Sequence, residues 1–185
     1  MNKSMFRSVG VLVTALLFAG MAHAQRGQFL SAEQYRDQIF TEALPYQALW
    51  INKEQRAQIE NILGHSFRSL RIRYWGRGQQ SAWIFEEIGK ELPITVGVSI
   101  EGEQIVDVSI LEYRESRGGE VRYPFFTSQF KGLALQAKEE RFSLSGHIDG
   151  ITGATLSVKA LKKVATLALF CHQLSPYAKD TANNQ

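Results

Sequence analysis

Polar and apolar positions divide the chain into helices, then strands, then a final helix. Ser31-Ala32-Glu33-Gln34 is a capping-box pattern with Leu30 and Tyr35 placed to staple across it, and it predicts a helix to about Ala43, stopped by Pro45. A second helix starts after Asn52 and runs through Ile59 and Leu63 to Gly64, a natural terminator. Leu70, Ile72 and Tyr74 then alternate with Arg71 and Arg73, and the Gly76-Arg77-Gly78 turn leads to the apolar run Ala82-Trp83-Ile84-Phe85. Ile94, Val96, Val98 and Ile100 alternate with Thr95, Gly97 and Ser99, and the turn Glu101-Gly102-Glu103 returns the chain along Ile105 to Leu111 as a hairpin. Pro124 opens a short helix, Phe125 to Phe130, closed near Gly132. The last helix covers Ser157 to Leu174. Lys159, Lys162, Lys163 and Thr166 form one narrow polar stripe on it, and apolar residues occupy nearly everything else, so it is expected to be buried on most sides. This order predicts the α+β class, an antiparallel sheet packed with helices.

The first 24 residues alter the picture of the whole. They carry a basic start (Lys3, Arg7), an apolar run from Val9 to Met21 and an Ala22-His23-Ala24 ending, which together predict a secretory signal peptide cleaved after Ala24. The expected mature protein begins at Gln25 and is exported, to the periplasm if the source is Gram-negative. The chain has 21 basic and 18 acidic residues, and removal of the leader takes away two bases and no acids. Near-neutral charge gives no electrostatic case for nucleic acid or anionic membranes as partners. One cysteine, Cys171, allows no intramolecular disulfide. No cluster of Cys, His and acidic residues has metal-ligand spacing, and Cys171-His172-Gln173 lacks the second cysteine of a haem-attachment motif.

The candidate chemistry lies just before the last helix. In Asp149-Gly150-Ile151-Thr152-Gly153-Ala154-Thr155, two glycines let the backbone approach an anion, and the hydroxyls of Thr152 and Thr155 can donate to one. The end of a buried helix adds oriented amides and a positive dipole. The same residue types also build an ordinary turn and helix cap, so spacing alone leaves both readings open. Asp149 is equally suited to capping its turn. His147, Arg114, Arg117 and the aromatics Tyr123, Phe125, Phe126 and Phe130 are further candidates to border a ligand, each with a plain surface or core alternative; Trp75 and Trp83 read as core.

This motif resembles the Asp-x-x-(Ser/Thr)-Gly-Ala-Thr flavinylation motif of the FMN-binding domain family, which includes the flavin subunits of sodium-pumping quinone reductases and Rnf complexes. The likeness extends over residues 82–175, through Pro93-Ile94-Thr95-Val96-Gly97-Val98, the following strand and Phe125-Phe126-Thr127-Ser128-Gln129-Phe130-Lys131-Gly132. A helical N-terminal region with the first strand would precede this domain at 25–81, and a flexible tail would follow at 176–185. The resemblance implies FMN joined covalently to Thr155 by a phosphoester, made outside the cytoplasm by a separate flavin transferase from FAD with magnesium. It also implies flavin-site roles for Asp149, Thr152, Gly153 and Ala154. Glu115-Ser116-Arg117-Gly118-Gly119-Glu120 is the counterpart of the family's Glu-Thr-Pro-Gly-x-Gly loop and assigns Glu115 and Gly118 to the flavin; Arg117 stands where the family has proline and Glu120 where it has the last glycine. The implied function is electron transfer between membrane or periplasmic redox partners, with no catalytic residue of its own. A flavin-dependent reductase of a small exported substrate and a non-redox interaction domain are the alternatives.

Overall fold

Local signals start the first two helices and stop the second. A computed structural model describes residues 27–139 and 141–178; the segment expected to be a signal peptide, with its expected cleavage point, lies outside the described residues. Helix α1 spans Ala32–Ile39, and its capping box is closed by the Gln34 amide donating to the Ser31 hydroxyl and the Ser31 amide donating to the Gln34 side chain. It stops four residues short of the expected Ala43, because Phe40 turns extended (φ −117°, ψ 138°) and buries its ring beside Tyr35. Helix α2, Lys53–Leu63, has the same box from Asn52 and Gln55, and Gly64 ends it in the left-handed conformation at φ 73°.

The six-stranded antiparallel sheet has the order β1-β6-β5-β4-β3-β2. Its centre is the meander of β3 (Arg71–Arg77), β4 (Gln80–Ile88), β5 (Pro93–Glu101) and β6 (Gln104–Tyr113). The edges are β1 (Gly27–Gln28) on β6 and β2 (Gln47–Trp50) on β3, two strands that the sequence pattern did not predict. Gly76 and Arg77 extend β3 rather than form the expected turn, which falls at Gly78 (φ 59°) instead.

Alternation along the strands makes two apolar faces. On one, Trp75, Ala82 and Leu111 pack with Tyr35 and Phe40 of the α1 region. Gly97 is required there, since a Cβ would stand 2.6 Å from the Tyr35 ring. The other face carries the main core, where Trp83, Val96, Val98 and Ile110 meet Ile59 and Leu63 of α2 and the final helix. That helix, α4, spans Thr155–Leu174 and packs across β4, β5, β6 and α2. It is buried around most of its circumference, as its narrow polar stripe predicted. A second small sheet, β7 (Leu135–Lys138) with β8 (Arg141–Leu144), covers its flank. The expected short helix at 124–130 is present as α3, Pro124–Thr127, continued by a 3-10 turn to Phe130. Tyr177, in the segment expected as a tail, packs where a Gly76 side chain would stand and accepts a hydrogen bond from Gln47 Nε2.

Candidate functional site

Three segments converge at one end of the sheet: the β4–β5 turn (residues 89–92), the loop leaving β6 (114–118) and the amino end of α4. The helix begins without help from a side chain. Its N-cap is Ala154 (φ −118°, ψ 17°), which has no side-chain oxygen, and no side-chain cap bond is made. Val158 N–H to the Ala154 carbonyl, at 2.9 Å, is the first bond of the helix, so the amides of residues 155–157 precede its ladder. Thr155 is the first helical residue and is exposed. Gly153, at φ 83°, would meet nothing within 4 Å if it carried a Cβ, so the approach over it is open.

The β6 exit loop is locked to this helix end. Tyr113 Oη donates to the Arg117 carbonyl at 2.5 Å, so the Ser157 hydroxyl 3.0 Å away donates to Tyr113 in turn. Burial pushes the Tyr113 phenol above its ordinary value, which keeps that donor proton in place. Gly118 (φ 78°) lies directly under Ala154: a Cβ there would sit 3.0 Å from the Ala154 Cβ and from Tyr113 Oη. Glu115 reaches the other way. Its Oε1 accepts from the amides of Lys90, Glu91 and Leu92 at 2.5, 2.6 and 3.0 Å. Burial alone would raise this carboxyl, but the three amides and the nearby Lys90 outweigh it and hold the group below its ordinary 4.5. One carboxylate thus ties the β4–β5 turn to the loop that is tied to α4.

These three walls enclose an open cavity of about 560 Å³. Lys90 and Glu91 line one side, Glu115, Ser116 and Arg117 the second, and residues 153–157 the third. The volume lies within the range of small-molecule and cofactor sites. An exposed hydroxyl, an uncapped helix end and the Arg117 cation, with the Glu115 charge absorbed by amides and the Glu91 charge paired to Lys90 at 3.3 Å, suit a phosphate-bearing ligand.

The structure brings Gly153, Ala154, Thr155 and Glu115 together around the cavity, with Gly118 behind Ala154. Thr152 and Asp149 are not among its lining residues. Thr152 does not cap α4, and Asp149 is exposed beside His147, with its amide donating to Gln129 Oε1 at 2.8 Å. Glu115 serves the β4–β5 turn through Oε1. Arg114 is held by Glu86 and Glu112. Phe126 and Phe130 are core, as are Trp75 and Trp83, whereas Tyr123 and Phe125 stack on the surface. Sequence reasoning missed Tyr113, Ser157 and Lys90. Tyr113 and Ser157 are 44 positions apart, and nothing local marks either as a partner of the other.

The fold and site define a class: a small α+β domain that presents the amino end of a buried helix, and a threonine on it, to a ligand cavity. Residues 89–169 match the family model described as FMN-binding domain. The match contains the whole β5–β6 hairpin, the β6 exit loop and α4 through Leu169. No curated protein matches the chain.

Proposed function

We propose that the protein holds FMN as a phosphoester on Thr155 and acts as an exported electron-transfer flavoprotein between membrane or periplasmic redox partners. The observation that carries this reading is the exposed Thr155 hydroxyl on the first residue of an uncapped, core-anchored helix, opening onto a cofactor-sized cavity. Bound FMN supplies the exchange of one or two electrons. The chain's own residues hold and orient it. The α4 amides receive the phosphate, Arg117 offers positive charge from the facing wall, and the Tyr113–Ser157 and Glu115 bonds keep the walls in register.

Attachment needs a second protein. The Thr155 Oγ1–P bond forms as the bridging P–O–P bond of FAD breaks; AMP leaves and the threonine proton passes to a base. Asp149 and His147 lie outside the cavity lining, so the transferase is the expected source of both the base and the magnesium. The small, open approach over Gly153 lets another active site reach the hydroxyl.

The test is co-expression with a flavin transferase. The parent protein is expected to stay yellow after denaturation and to gain the mass of one FMN less one water. Thr155→Ala is expected to lose that mass while keeping its fold, and Thr152→Ala to keep at least part of it. Full labelling of Thr155→Ala, or none of the parent with an active transferase, overturns the proposal. Export is tested separately, by N-terminal sequencing of protein from the periplasm, which is expected to begin at Gln25.

A further inference from the structure

Thr155 also borders a second depression, which runs along its helix. This groove, about 380 Å³, runs along the polar stripe of α4. Thr155, Lys159, Lys162 and Thr166 follow one another at helical spacing, so one face presents all four. The floor and far wall are apolar: Ile62 from α2, Phe142 and Leu144 from β8, and Val158 from α4. Phe142 is fixed from beneath by Phe170, whose ring centroid lies 4.9 Å away, so this wall is formed in advance. Lys163, the third lysine at the groove, is neutralised by buried Glu87 at 2.8 Å. Neither Lys159 nor Lys162 forms an ion pair among the described residues. The Thr166 hydroxyl is spent on the Lys162 carbonyl at 2.8 Å.

We propose that this groove binds a small amphipathic anion, an apolar ring or chain bearing a carboxylate, sulfonate or phosphate. The apolar floor takes the body of the ligand, and the two unpaired ammonium groups take its charge. A volume of about 380 Å³ matches a small molecule better than a protein segment. The site does not depend on flavin for binding. Its consequence for electron transfer does rest on the Thr155 reading: an occupant of this groove lies beside the attachment residue, where a small donor or acceptor would meet the cofactor.

The experiment titrates the mature, unflavinylated protein with 8-anilinonaphthalene-1-sulfonate, followed by fluorescence, and with the uncharged analogue N-phenyl-1-naphthylamine. Saturable one-site binding of the sulfonate is expected. It should weaken at least ten-fold in Lys159→Glu/Lys162→Glu and change less than two-fold in the charge-matched control Lys53→Glu/Lys131→Glu, whose lysines are exposed outside the groove. The uncharged analogue is expected to bind at least ten-fold more weakly than the sulfonate. Circular dichroism of each variant confirms its fold, and Lys159→Ala/Lys162→Ala replaces the double glutamate variant if that one unfolds. Equal sulfonate affinity in the lysine variant and the parent, or equal affinity for the two probes, overturns the proposal. Because the probe is read without flavin, failure here leaves the Thr155 labelling result standing, and failure of labelling leaves this one standing.

Discussion

At the scale of single residues, the site depends on groups that hold its walls, and two of them, Gly118 and Tyr113, are not among the cavity's lining residues. Gly118 holds a left-handed conformation that costs a non-glycine residue about 1–2 kcal/mol, and its absent Cβ is what lets Ala154 close on the β6 exit loop. Gly118→Ala is therefore expected to lose at least about 1 kcal/mol in urea unfolding and to flavinylate less completely. Tyr113→Phe removes the hydroxyl that joins Arg117 to Ser157 and is expected to cost about 1–3 kcal/mol, because a buried donor is left unpaired. Glu115 gives a pH signature. Its folded value is held below 4.5, so its contribution is present above that pH and is lost as pH falls through the folded value. Unfolding free energies of the parent and Glu115→Gln are expected to converge as the solution is acidified below pH 4.5. Parallel curves would show that the three amides do not favour the charged form. Thr155 itself was legible in the sequence, since its signal is seven contiguous residues. Glu115 was legible only as a family counterpart, and its bonds to a turn more than twenty residues away were not.

At the scale of elements, α4 is the platform, and its burial sets how rigidly Thr155 is presented. Leu161 and Leu167 are almost wholly inaccessible, and each changed to Ala is expected to cost about 2–5 kcal/mol in urea or thermal unfolding. If both changes are neutral, the helix is not anchored. Its pattern was readable because three lysines and a threonine share one face, and the rest of the helix has nowhere to go but the core. The caps of α1 and α2 were readable for the same local reason. The end of α1 was not, since Phe40 leaves the helix to fill space beside Tyr35, and that space exists only once the sheet is assembled. The edge strands β1 and β2 and the β7–β8 pair run two to four residues each, too short to display a period of their own.

At the scale of the whole molecule, two histidines connect distant elements and respond to pH in opposite directions. His172 on α4 donates from Nε2 to the Gly102 carbonyl at 2.6 Å and accepts at Nδ1 from Ser81, whose oxygen accepts from Trp83 Nε1. That chain is complete for the neutral imidazole, and burial holds its value below 6.5. Its stabilisation is thus full above pH 6.5 and is lost as pH falls towards the folded value. His65, after α2, bonds buried Glu87 at 2.8 Å, which raises its value above 6.5, so its contribution is present below that pH and is lost as pH rises through the folded value. The stability gap between parent and His172→Gln is expected to narrow on acidification below pH 6.5, and the gap between parent and His65→Gln to narrow on alkalinisation above it, both by thermal unfolding across a pH series.

The sequence by itself determined the starts of α1 and α2, the central hairpin, the buried character of α4, and the residues at its amino end that resemble a flavinylation motif, although α4 begins at Thr155, two residues before the expected Ser157. All of these are written within one or two turns of chain, where periodicity, caps and glycine suffice. Tertiary structure decided which residues face Thr155: Lys90 from one strand turn, Arg117 from another, and the Tyr113–Ser157 and Glu115 links that set the walls. It also decided that the lysine stripe lies over an apolar floor rather than plain solvent, through Phe142 and Ile62. Contacts of this kind join positions that only the folding of the sheet brings within bonding distance, and a hydrogen bond or a wall of a cavity depends on distance in space, for which the spacing of residues along the chain holds no record.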